Sequence, residues 1–232
     1  MKYIPILFST PMVQAILAGA KTQTRRTVKP QPDPEAYMIA YVEHRGGELG
    51  VVYNYNQGDN NPFVKCPYGN VGDVIWVRET WARVLNDRGT DWEFIYKADP
   101  WLYVGIDGDI KWKPSIHMPK EAARLFLQIT SIGIEPLIDI SEADAIAEGV
   151  EDIYAMTDVK EHCYKNYMHG KDERTGKALP IDEVCGWDVI ADNATHSFKT
   201  LWQRINGAAS WQANPYVWRI EFKRIDKPEN FN

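Results

Sequence analysis

One stretch of this chain constrains its fold more than any other. Trp218, Ile220 and Phe222 are apolar, and Arg219, Glu221 and Lys223 between them are charged. A period of two puts the sets on opposite faces of a strand, one buried and one wet. Residues 74–81, 92–97 and 124–134 are rich in β-branched and aromatic side chains, as are residues 3–8, and they read as further strands. Turn signals separate these strands, with only three short helical patterns between them and no regular βαβ unit. No internal repeat is present. The pattern predicts an α+β, barrel-like fold rather than a doubly wound sheet.

The helical patterns carry their own start and stop signals. Thr10-Pro11 reads as a cap followed by proline in the first turn, Met12, Ile16 and Leu17 as an apolar face, and Gly19 as the stop. Ser141 reads as the cap of a second helix, with Glu142 and Asp144 in its first turn and an apolar stripe through Ala143, Ile146, Ala147 and Val150. Thr195 or Ser197 opens a third, with Phe198, Leu201, Trp202 and Ile205 on one face and Asn206-Gly207 at its end. Residues 35–70, rich in Tyr, Asn and Gly, predict a hairpin and irregular loop. Residues 151–194 are polar, and the tail from Asp226 reads as loose. The expectation is one domain over residues 1–232 with insertions near 35–65 and 151–194.

Composition excludes several functions. A formal net charge of −6 argues against a protein that coats long nucleic acid by neutralising phosphates. It leaves room for a pocket holding one nucleotide, which needs only local charge. No apolar run approaches bilayer length, and residues 1–10 lack a signal-peptide centre, which predicts a cytoplasmic protein without membrane partners. Three cysteines, an odd number with no C-x-x-C spacing, predict no disulfide framework. His162, Cys163, His169 and Cys185 fit no common zinc spacing, so no metal is expected. Walker, dinucleotide and serine-hydrolase signatures are missing, and no cofactor is expected.

The run Lys21-Thr22-Gln23-Thr24-Arg25-Arg26-Thr27-Val28-Lys29 holds four positive charges and no negative one. Such a run is ordinarily a solvated face, and its functional reading is a phosphate cradle. Together with Gly19 and Ala20, it resembles the ASCH superfamily signature, G-x-K-x-x-[E/T]-x-R just after the first helix. Val71-Gly72-Asp73 and the closing strand around Trp218 are similar to that family too. The likeness extends to its long phage and prophage versions through Cys66-Pro67-Tyr68-Gly69, Trp76-Val77-Arg78-Glu79-Thr80-Trp81, Trp112-Lys113-Pro114-Ser115-Ile116-His117-Met118-Pro119 and Asn206-Gly207 with Ser210-Trp211 and Asn214-Pro215. It covers residues 4–225 and is weak across 151–194.

The resemblance implies a PUA-like β-barrel and a nucleoside or nucleic-acid-related ligand, with single-stranded RNA or DNA among the partners. One branch of the superfamily is an amidohydrolase that removes acyl groups from acylated cytidine using Lys, Thr and Glu. Lys21 and Thr24 match the first two, and Glu148 stands where the third is expected. The implied chemistry gives Thr24 the nucleophile or a positioned water, Lys21 the proton acceptor, and Glu148 the leaving amine or the orientation of Lys21. Arg26 would hold charge on the ligand or the oxyanion, and Arg25 is a further ligand-binding candidate. Arg78 and Glu79, neighbours on one strand, should point to opposite sides, the inward one touching ligand or joining a cross-strand ion pair. Trp112, Lys113 and His117 could stack on and hydrogen-bond a base; their ordinary reading is a turn closed by Pro114 and Pro119. The other functional expectations are a non-catalytic RNA, DNA or modified-nucleotide binding module and, below it, a ribonuclease.

Overall fold

A computed structural model describes residues 1–32, 38–44, 48–54, 63–86, 89–99, 110–153, 163–168 and 190–231. In chain order they form β1 (Tyr3–Leu7), α1 (Thr10–Leu17), β2 (Gln23–Thr27), β3 (Met38–His44), β4 (Glu48–Asn54), β5 (Phe63–Lys65), β6 (Val74–Arg78), β7 (Trp81–Leu85), β8 (Trp92–Tyr96), β9 (Phe126–Pro136), α2 (Glu142–Ala147), β10 (Tyr164–Lys165), β11 (Ile190–Ala191), α3 (Ala194–Asn206) and β12 (Tyr216–Ile225). The fold is mixed α+β and dominated by strands. Among the described residues, no helix is long and apolar enough to cross a membrane.

The chain divides into two compact units, neither continuous in sequence. The first is Met1–Gly19, Pro67–Ser131 and Glu221–Asn232; the second is Ala20–Cys66 and Ile132–Ile220. Strands β9 and β12 are hydrogen-bonded neighbours, and each divides its residues between the units.

In the first unit β1 runs parallel to β6, from Tyr3 opposite Val74 to Leu7 opposite Arg78. On its other side, β6 runs antiparallel to β9, with Val74 opposite Gln128. The single strand expected over 74–81 is two strands. It breaks at Glu79-Thr80, where the Glu79 N–H donates to Met118 Sδ instead of a neighbouring strand. Residues 92–96 therefore pair with β7, Trp81 opposite Tyr96 and Leu85 opposite Trp92, and not with β6. Helix α1 buries Val13 and Ile16 and takes Ser9, not Thr10, as its cap residue. Trp76, Trp81, Met118 and Phe126 form the core with Phe231. The ring of Phe231 meets those of Tyr3, Trp76 and Phe126 at 5.2, 5.9 and 4.7 Å. The tail expected to be loose thus ends in a core residue, because edge-to-face aromatic packing draws Phe231 in.

In the second unit β2 lies beside β12, and Val28 N–H donates to Tyr216 O. Strands β3, β4 and β5 form an antiparallel sheet where a hairpin was expected. Leu137, Ile140, Ala145, Phe198, Trp202 and Val217 build the core. Two helical readings need correction. Ser141 does cap α2, accepting from Asp144 N–H, but the buried side is Ala145 and Glu148, while Ile146 is 48% exposed. A six-residue helix has too little apolar stripe to set its own rotation, and the polar contacts described below set it instead. Helix α3 begins earlier than expected, at Ala194, with Asn193 accepting from His196 N–H. Its buried face includes Phe198 and Trp202 but leaves Ile205 52% exposed. Within 151–194, Tyr164–Lys165 pairs antiparallel with Ile190–Ala191.

Candidate functional site

Lys21 precedes β2 and forms an antiparallel bridge with Glu148, the residue that ends α2. Thr22 N–H donates to Ala147 O at 2.8 Å, which seats this segment against the helix end. Gly149 follows with φ +81°, the left-handed turn that lets the chain leave the helix there. Lys21 Nζ then donates to Glu148 O at 2.7 Å and to Glu148 Oε2 at 2.6 Å. The two side chains are 0% and 4% exposed. A cation on the last carbonyls of a helix also meets the negative end of its dipole. Burial pushes the Lys21 ammonium below its ordinary pKa. The charge and hydrogen bond of Glu148 pull it back up, and the like charges of Arg26 and Arg25 push it down again.

Strand alternation sorts the rest of the signature. Gln23 and Arg25 share one face of β2, and Thr24 and Arg26 share the other. Arg25, with a side chain 0% exposed, reaches three carboxylates. Its Nε and Nη2 lie 2.8 and 2.6 Å from Glu135 Oε1, Nη2 lies 3.4 Å from Asp144 Oδ2, and Nη1 donates to Glu148 Oε1 at 3.2 Å. Its guanidinium carbon also sits 5.8 Å from the centre of the Phe198 ring. Gln23 donates to Asp144 Oδ1 at 2.6 Å and accepts from Arg25. Burial raises the Asp144 pKa. Hydrogen bonds from Gln23 and Ser141, with the charges of Arg25 and Arg219, outweigh that and leave it below the usual value.

Thr24 is 1% exposed, and among the described residues its Oγ1 has no hydrogen-bond partner. The structure thus brings Lys21 and Glu148 together and leaves the Thr24 hydroxyl unbonded to either. Arg26 is half-buried on the Thr24 face. Arg25, expected to touch ligand, is enclosed by protein carboxylates instead.

The remaining candidates belong to the other unit. Glu79 is 1% exposed and takes the Arg124 fork, Nε on Oε1 and Nη2 on Oε2, both at 2.9 Å. Arg124 Nη1 bonds Asp99, and its guanidinium lies 3.9 Å from the centre of the Tyr96 ring. Burial raises the Glu79 pKa, and Arg124 lowers it in part. Glu79 is therefore the inward member of the Arg78–Glu79 pair, and its partner is an arginine of the protein. Arg78 lies 5.7 Å from the Trp76 ring centre and donates to Ile116 O. Lys113 exchanges backbone hydrogen bonds with Trp81 and places Nζ 4.8 Å above its ring. Trp112 is half-buried, and His117 is exposed on a single 3-10 turn, Ser115–His117.

Comparison with protein-family models, curated proteins and solved structures returns no match. The site is therefore read from its own chemistry.

Sequence reasoning missed Glu135, Gln23, Arg219, Arg124 and Asp99 as members of these networks, and read Asp144 only as a dipole residue. Asp144 and Glu148 stand four apart, which places two carboxylates on one helix face opposite the basic run. That spacing was the available signal. Of the four residues in the zinc reading, His162, His169 and Cys185 lie outside the described residues. Cys163 is buried, and no group of three or more metal-binding side chains occurs among the described residues.

Proposed function

We propose that this chain is an ASCH-type protein with a PUA-like barrel, acting in the cytoplasm of a bacterial host as an amidohydrolase on acylated pyrimidine nucleosides. The observation that carries the reading is the dry Lys21–Glu148 pair, 2.6 Å apart, on the residue types that the amidohydrolase branch uses. A lysine whose proton affinity is lowered by burial can act as a base near neutral pH, which a solvated lysine cannot.

In this reading water adds to the amide carbon and its proton passes to neutral Lys21. The C–N bond then breaks as Lys21, through Glu148, returns that proton to the exocyclic nitrogen, leaving a carboxylic acid and the free nucleoside amine. The unbonded Thr24 hydroxyl is the group available to donate to the amide oxygen as charge develops there. Lys21 and Thr24 are at most 2% exposed, so the reaction requires the segment around them to open for substrate.

The burial of Arg25 among carboxylates counts against a phosphate-cradling module, since it and Lys21 are two of the four cations in the signature run. The test is release of cytidine from acylated cytidine by the purified protein, followed by chromatography beside Lys21→Ala. Turnover that disappears in the variant supports the reading. Turnover equal in both, or none in either, overturns it, and oligonucleotide binding then becomes the assay of choice.

A further inference from the structure

The two oxygens of Glu148 are held by different cations. Oε2 meets Lys21 Nζ at 2.6 Å, and Oε1 meets Arg25 Nη1 at 3.2 Å. Arg25 is braced from behind, with Nε and Nη2 on Glu135 of β9 and Nη2 also 3.4 Å from Asp144 of α2. Glu135 is steadied in turn by Arg219 of β12, whose Nη1 lies 3.6 Å from Oε2. Among the described residues, the charged groups around the pair include Arg25 and Arg26 on β2, Glu135 on β9, Asp144 on α2 and Arg219 on β12. Gln23 and Ser141 add neutral hydrogen bonds to Asp144.

We infer that Arg25 is a positioning residue for the Lys21–Glu148 pair: a fork braced on Glu135 and Asp144 grips Glu148 by Oε1, so that Oε2 is presented to Lys21. The inference rests on the proposed hydrolase reading, in which Lys21 must release its proton to become a base. A carboxylate alone with a lysine in a dry site binds that proton tightly. A carboxylate shared with a guanidinium binds it less, and the guanidinium also repels the ammonium directly. The geometry and the direction of the Lys21 shift agree, since Arg25 is among its downward causes. A merely structural Arg25, tying β2 to α2 and β9, would change stability and leave the titration of Lys21 where it was.

The test uses full-length protein labelled with 15N-lysine. The Lys21 Nζ resonance is titrated with pH by NMR, and kcat/KM for cytidine release is measured across the same range. In Arg25→Gln the Lys21 midpoint moves up and kcat/KM at pH 7 falls about tenfold, as expected for losing one nearby charge. Arg25→Lys returns the charge without the fork, so the midpoint comes back only in part. Glu135→Gln keeps Arg25 but removes the anion that compensates it, so the midpoint moves down. This second variant decides the matter if Arg25→Gln fails to fold. An unmoved or raised Lys21 midpoint in folded Glu135→Gln, or an unmoved one in folded Arg25→Gln, overturns the inference. The titration reads the grip of Arg25 whether or not acylated cytidine is hydrolysed. A wild-type protein without turnover but with shifting midpoints would sink the hydrolase reading and leave the grip standing.

Discussion

Replacing Lys21 with methionine should destabilise the second unit by about 3–5 kcal/mol, the usual range for breaking a buried ion pair from one side. The magnitude follows from what is left behind. Lys21 Nζ fills two acceptors, Glu148 Oε2 at 2.6 Å and Glu148 O at 2.7 Å, in a place where neither side chain is more than 4% exposed. Methionine keeps the aliphatic stem and fills neither. An orphaned bond to a charged group costs about 1.5–3 kcal/mol and an orphaned carbonyl about 1–2. Arg25 still covers Oε1, which keeps the sum from growing further. Adding Glu148→Leu removes the stranded carboxylate and leaves the carbonyl and one N–H of Arg25 Nη1, which keeps its bond to Gln23, so the double variant should lie within about 2 kcal/mol of wild type. The coupling between the positions, the two single costs less the cost of the double, is then well away from zero. Urea unfolding of the four proteins at pH 7, extrapolated linearly, measures it. A Lys21→Met cost under about 1 kcal/mol, or costs that simply add, would refute the argument that this pair is dry and mutually dependent. If the cycle behaves as expected, the pair is nearly dispensable for stability, and its presence calls for a chemical explanation.

Thr24→Val removes a buried hydroxyl that has no partner among the described residues. Thermal unfolding should show a protein unchanged or stabilised by up to about 1 kcal/mol, while cytidine release falls about a hundredfold; a destabilised variant would mean the hydroxyl is bonded after all. In the first unit, Arg124→Met strands Glu79, and its cost should depend on pH. Burial already raises the Glu79 pKa above its unfolded value, and losing Arg124 raises it further. The protonated carboxyl is the form the fold tolerates, so the stability is present in acid and is lost as pH rises through that raised value. Urea midpoints at pH 5 and pH 8 should therefore differ more in the variant than in wild type, with a cost of about 3–4 kcal/mol at the higher pH; an equal cost at both would contradict the assignment.

Period and caps make much of the architecture legible in the sequence. The alternation around Trp218 predicted β12, and Ser141 and Gly207 marked helix ends that the structure keeps. What pattern alone could not reach was long-range pairing. The run Val74–Trp81 reads as one strand because its composition is uniform, yet it breaks where Glu79 turns to an arginine 45 residues later. The stripe on α2 failed for a related reason. Ile146 looked like core, and in so short a helix the two ion pairs of Glu148 outweigh one isoleucine. Lys21 and Glu148 were nameable through resemblance, but the enclosure of Arg25 among carboxylates was not, because a basic run does not say which of its charges faces inward. Two units also went unseen. No linker marks them, since each is assembled from separated segments.

That assembly has a consequence for how the protein is made. Val217 completes one hydrophobic cluster and Phe231 the other. A nascent chain halted before residue 216 holds both clusters open at once, with neither unit able to shelter its apolar side chains ahead of the other. That interval opens at Leu137, the first residue of the second cluster, and at ribosomal rates of about 5–20 residues per second it lasts on the order of 4–16 s, during which the exposed apolar side chains favour aggregation.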